Sequence, residues 1–192
     1  MVRMAFQPKT QQKADAQAQD IPWRVKELYE KGNAKGLSDL ISQSEAAAME
    51  VIKYPTIAAM ESSPNQMRLA HTAVFKYENV AMASLSIHNP PVIPLITNSD
   101  SDGLLAAHYA VDHERVALEV LYHYPQIALA RARNGWPVLF KMVLRHNSVA
   151  IAIQGNPQLK FNYKQGLGTD AVAARFEEIL SRGSGQCIPT RR

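Results

Sequence analysis

The sequence predicts an all-α protein: a solenoid of about four helix-turn-helix repeats with a capping helix at each end. Three observations predict it. The first is a recurring frame, in which an apolar doublet in one short helix is followed, after a polar corner, by a second doublet in the next. It reads Leu40-Ile41 with Ala47-Ala48, Ala73-Val74 with Val80-Ala81, Ala110-Val111 with Val116-Ala117, and Met142-Val143 with Val149-Ala150. The copies return every ~33 residues, a period typical of stacked repeats. The second is punctuation. Gly32-Asn33, Asn65-Gln66, Gly103 and Asn134-Gly135 precede the copies, and Pro55, Pro90-Pro91, Pro125 and Pro157 close the second helix or its following loop. The third is composition: 46% apolar but only 7% aromatic residues suits helices packed through small side chains better than a β-sandwich.

In chain order, residues 1–19 are rich in Gln, Ala and Lys without apolar periodicity and are expected to form a flexible arm. Asp20 and Pro22 open a capping helix over 20–32, with Val25, Leu28 and Tyr29 set against Trp23, Lys26, Glu27 and Glu30. Repeats fill about 33–160, within a repeat domain of 20–181. Asp102 to Pro125 is the clearest copy, a helix from Leu104, a corner Asp112-His113-Glu114-Arg115, and a helix from Val116 to Tyr124. Isolated helices this short are marginal in water, so each must bury its apolar face on a neighbour. The loop before this copy carries Val92, Ile93, Leu95 and Ile96 among three prolines, and these apolar residues are either tucked under or offered to a partner. After repeat four, Leu159, Phe161 and Tyr163 alternate as in a strand. A capping helix over 170–181 places Val172, Phe176, Ile179 and Leu180 on one side, and 182–192 is a basic tail.

DGLLAAHYAV resembles the Asp-Gly-x-Thr-Pro-Leu-His-x-Ala-Ala segment of ankyrin repeats. LEVLYHYPQIALARARNGWP resembles the end of an ankyrin second helix, its loop and the next Asn-Gly-x-x-Pro opening. His71 and His108 fall at the family's His position and Pro137 at its Pro. The sequence departs from the family in lacking Thr-Pro apart from Pro137, in replacing the Gly-Ala-Asp-Val-Asn hairpin with proline-led segments, and in placing Phe140 at the fourth His position. The resemblance covers roughly residues 32–165. It implies stacked helix pairs and carries no specific activity.

No apolar run approaches the ~20 residues of a membrane span, and the first residues lack the apolar block of a secretory signal. A single cysteine, Cys187, cannot form an internal disulfide, so an intracellular, cytoplasmic setting is expected. The formal charge is +4, unevenly spread. Val120 to Thr169 holds no Asp or Glu, yet contains Arg131, Arg133, Lys141, Arg145, Lys160 and Lys164. That asymmetry points to an acidic partner facing the second half of the chain.

In this register His71 and His108 are expected to tie adjacent turns by hydrogen bonds rather than to act as ligands or bases. His108, His113, His123 and His146 show no i,i+4 pair and no supporting cysteine, so no metal is expected. Gly166-Leu167-Gly168-Thr169-Asp170-Ala171 matches G-x-G-x-x-A, but a dinucleotide fold needs a following crossover strand, and the chain runs into a polar tail. The plain reading is a glycine-rich loop into the capping helix. A weaker one is anion binding by Gly166, Gly168, Lys160 and Lys164 at that helix start, which Asp170 opposes. With no G-x-S-x-G elbow, P-loop or Cys-His pair, neither catalysis nor a cofactor is expected. Asp112 and Glu114 read as solvated charges or caps.

The basic stretch could hold phosphates, meet an acidic protein surface, or simply keep a helical stack soluble. The expected function is a non-enzymatic protein–protein interaction scaffold, an adaptor or inhibitor. Its contacts would be Tyr122, Tyr124, Arg131, Arg133, Trp136, Lys141 and Arg145, since Arg and aromatic residues dominate interface anchors. The alternative is nucleic-acid binding through residues 120–169, with the nearby aromatics stacking on bases.

Overall fold

A computed structural model describes residues 9–62, 67–86, 99–168 and 170–183. The protein is mostly helical, with thirteen α-helices among the described residues. Helix α1 (Lys9–Glu30) leads to the pair α2 (Ala34–Gln43) and α3 (Glu45–Ile52), then to short α4 (Pro55–Ala58). Strands β1 (Glu61–Ser62) and β2 (Met67–Arg68) pair antiparallel ahead of α5 (Leu69–Lys76) and α6 (Glu78–Ser84). The next pair is α7 (Ala106–Ala110) and α8 (Glu114–His123), with α9 (Pro125–Leu129) after it. Then come α10 (Val138–Arg145), α11 (Asn147–Gly155), α12 (Pro157–Leu167) and α13 (Asp170–Gly183).

Helix pairs touch in chain order. The first helices α2, α5, α7 and α10 pack successively, with α13 against α10 at the end. The second helices α3, α6, α8 and α11 do the same, and α1 lies against α2 and α3. The doublets explain why. All sixteen residues of the recurring frame are buried. Neighbouring residues on a helix point ~100° apart, so one doublet can face two neighbours. In α5, Ala73 joins the apolar cluster of α1–α3 while Val74 joins the cluster that runs on to α13. In α6, Val80 and Ala81 divide in the same way.

The corners between paired helices repeat as well. Ser44, Tyr77, His113 and His146 each adopt extended backbone between two helices. Three of them reach back to the preceding pair: Tyr77 Oη donates to Ile41 O (3.1 Å), His113 Nε2 to Val74 O (3.1 Å) and His146 Nε2 to Val111 O (2.8 Å). The last carbonyls of a helix have no partner within it. Each is therefore satisfied by the corner of the next pair.

Three expectations are corrected. The first capping helix starts at Lys9, not Asp20, and contains Pro22. Ala, Gln and Lys are strong helix formers, and Pro22 removes only one hydrogen bond from an otherwise favourable run. Pro55, Pro125 and Pro157 do not merely close a helix. Each sits at the start of another one, where a missing N–H costs nothing. The stretch holding Leu159, Phe161 and Tyr163 is helix α12, not a strand. Asn156 caps it by accepting from Leu159 N (3.1 Å). The buried residues there are Tyr163 and Leu167, at i,i+4 spacing, and Phe161 is exposed. Residues 1–8, Asn65-Gln66, Pro90-Pro91, the loop residues Val92, Ile93, Leu95 and Ile96, and the tail from Ser184, including Cys187, lie outside the described residues.

Candidate protein-binding face

The turn ahead of α7 sets the geometry of this face. Gly103, at φ +75, turns the chain so that Asp100 can cap it, its Oδ1 accepting from Leu104 N (2.8 Å) and its Oδ2 from Tyr109 Oη (2.5 Å). His71 and His108 bridge successive copies. His71 Nδ1 accepts from Arg68 N (3.1 Å) and its Nε2 donates to Leu104 O (3.3 Å). His108 Nδ1 accepts from Leu105 N (3.2 Å) and its Nε2 donates to Trp136 O (3.2 Å). A bare Nδ1 accepting from an amide fixes the neutral tautomer with its proton on Nε2. Burial pulls His108 down to about 4 and lowers His71, so neither ring carries charge at neutral pH. Phe140 takes this position in the last copy, stacked on Phe176 of α13 with centroids 6.3 Å apart. Its neighbour is the last helix, α13, so a ring contact replaces the bond to a carbonyl.

On this frame α7 and α10 present a mixed surface. Lys141 Nζ lies 2.8 Å from Asp112 Oδ2 and 5.2 Å from the centroid of the Tyr109 ring. Arg145 Nε lies 3.6 Å from Asp112 Oδ1. One carboxylate thus serves two cations. Beside them Trp136 and Leu144 are 46% and 42% exposed. Leu104, His108, Trp136, Lys141, Leu144 and Arg145 together line a cavity of about 290 Å³.

Of the residues singled out in the sequence, Trp136, Lys141 and Arg145 meet in this cavity. Arg133 is exposed at the adjoining turn, where its N–H donates to Gly103 O (3.0 Å). Arg131 donates to Leu167 O (2.5 Å), so its guanidinium is spent on the C-terminal end of α12. Tyr124 is half-buried at the start of α9. Tyr122 lies apart, in a shallow concavity on α8 with Leu118, Arg115, Glu78, Glu114 and Glu119. Leu144, Asp112 and Tyr109 belong to the face without being expected there from the sequence. The i,i+3 spacing of Lys141 and Leu144 is the one available signal for the first of them.

The described part of the glycine segment is the end of a helix. Gly166 belongs to the last turn of α12, where an added Cβ would stand 2.4 Å from Leu129 Cδ1, and Gly168 ends that helix at φ +76. Lys160 and Lys164 instead flank Glu177 of α13, at 2.7 and 3.6 Å, and Lys160 in particular holds that carboxyl below its usual value. A larger cavity of about 460 Å³ lies beneath α1, between Trp23, Tyr29 and Tyr54, and its Glu30 and Glu50 pair with Lys26 and Lys53. Among the described residues no group of His, Cys, Asp and Glu could hold a metal, and no helix is long and apolar enough to cross a membrane. No family model, curated protein or solved structure matches the chain.

Proposed function

We propose that the chain is a non-enzymatic binding scaffold, a short solenoid of ankyrin-like repeats. Its α7–α10 face docks an acidic surface of another protein, as an adaptor or inhibitor would. The observation that carries this reading is the pairing of Lys141 and Arg145 with a single carboxylate, next to exposed Trp136 and Leu144. A positive surplus beside exposed apolar side chains suits a partner that is acidic and partly apolar, since such complementarity steers encounter and fixes register. Four of the six histidines serve the frame itself. His71, His108, His113 and His146 are each engaged with a backbone carbonyl.

The nucleic-acid alternative draws on the same charge and on exposed Tyr122, Trp136 and Phe161, but the other three aromatics of the basic segment are withdrawn from solvent. Phe140 and Tyr163 are buried, and Tyr124 is half-buried. Lys160 and Lys164 share the carboxylate of Glu177 and Arg131 donates to Leu167 O, so half of the six cations between Val120 and Thr169 are engaged away from the α7–α10 face.

The test is affinity capture from the native host with the full chain and with R133E/R145E, at rising salt. The expected result is an acidic protein retained by wild type, lost in the double variant and weakened by salt. Random duplex and single-stranded nucleic acid should not bind at low salt. Tight nucleic-acid binding with a steep salt slope overturns the reading, as does capture that ignores the charge reversal.

A further inference from the structure

The α7–α10 cavity is lined by both apolar and cationic side chains. Leu104, Trp136 and Leu144 supply hydrocarbon, and His108 adds an uncharged ring edge. Lys141 is fixed by its contacts with Asp112 and Tyr109. The side chain of Arg145 is 61% exposed and reaches Asp112 at only 3.6 Å, so its guanidinium is the group most readily turned toward an incoming carboxylate. A volume of about 290 Å³ has room for one large apolar side chain and not for a folded surface.

We propose that this cavity receives a single apolar side chain, of leucine or phenylalanine size, from an acidic linear segment of the partner. A carboxylate flanking that anchor pairs with Arg145. This rests on the reading of the face as a protein-docking surface and adds what the partner must present. The apolar anchor supplies affinity by leaving water, and the flanking acid selects against neutral and basic segments.

A substitution separates the two contributions. Leu144→Arg removes part of the cavity's apolar lining while increasing the positive charge around it. Attraction by charge alone therefore predicts equal or tighter binding by this variant, and loss of an apolar seat predicts weaker binding. Leu144 is exposed, and thermal unfolding of L144R close to that of wild type will show that the fold is kept. Selection of a random linear peptide library on the immobilised full chain should enrich peptides in which Asp or Glu flanks Leu, Phe, Trp or Met. A synthetic copy of an enriched peptide should shift Trp136 emission in a W23F background, since Trp23 is the other of the two tryptophans. It should bind L144R at least about tenfold more weakly, and so should its Asn/Gln analogue bind wild type. Basic or neutral enriched peptides overturn the proposal, as does equal binding to L144R. So does self-association of the chain lost in L144R, which would make a second copy the occupant. Where the host protein is lost with R133E/R145E but retained by L144R, the cavity assignment fails and the docking face stands. Where neither variant changes capture, both fail.

Discussion

His108 holds a backbone amide of its own copy and a backbone carbonyl of the next, and it does so only as a neutral ring. Protonation at Nδ1 would set two donors against each other at Leu105 N. Its pKa is drawn from 6.5 to about 4 by burial, so the unfolded chain binds the proton more readily than the folded one. The stability contributed by the neutral ring is complete above the unfolded value and is lost as pH falls through the range toward 4. Integrated to about pH 4.5, the loss is roughly 2–3 kcal/mol. Urea denaturation near pH 7.5 and again near pH 4.5 should show wild type losing about that much more than His108→Gln, which cannot titrate. His71 is lowered for the same reason, so the variant will keep part of the acid sensitivity. An identical pH dependence in the two proteins would mean that the ring is not the group that senses acid. Phe140, in the same position of the last copy, needs no such proton arrangement because it meets a ring and not a carbonyl.

At the scale of the element, the turns ahead of α7 and α10 look alike in sequence and differ in what surrounds them. Gly103 and Gly135 both have positive φ, +75 and +82. A Cβ on Gly103 would stand 2.4 Å from Arg133 Cβ, whereas one on Gly135 would meet nothing within 4 Å. Gly135→Ala should therefore cost only the backbone strain, about 1 kcal/mol. Gly103→Ala should cost roughly 2–4 kcal/mol, because the turn must also separate from Arg133, whose N–H it binds. Equal costs in denaturant titrations would remove the close approach from the account. The same contrast marks what can be read from the sequence. The doublets and corners are legible because burial on both sides of a helix leaves adjacent apolar residues, a pattern that no surface helix needs. Pro55, Pro125 and Pro157 mislead because a proline that ends one helix and one that starts the next look identical until the next turn is seen. Leu159 to Tyr163 misleads because two residues an i,i+4 step apart also stand an even number apart, and exposed Phe161 completes a false alternation. In the candidate face, Trp136, Lys141 and Arg145 are legible from residue type. Tyr122 and Arg131 group with them in sequence because spacing along the chain does not reveal that one faces outward on α8 and the other caps α12.

Across the whole molecule, contacts between helices run in chain order, so each pair is held by the pair before it and the pair after it. The ends are covered differently. At one end α1 lies over α2 and α3, burying Val25, and at the other α13 lies over α10 and α11 with Phe176 fully buried against Phe140. In a repeat stack, as proposed for this chain, a local loss of packing spreads only as far as its neighbours, in proportion to the interfaces between them. Phe176→Ala leaves a cavity where the two rings stack and should cost about 3–5 kcal/mol locally. Amide hydrogen exchange should then show faster opening through α10–α13, while α2, α3 and α5 keep their wild-type protection. The α7–α10 face lies at the edge of that region, so the binding proposed for Leu144 and Arg145 should weaken before the N-terminal pairs are affected. A uniform rise in exchange from α2 to α13 would show one cooperative unit and overturn the proposed repeat stack.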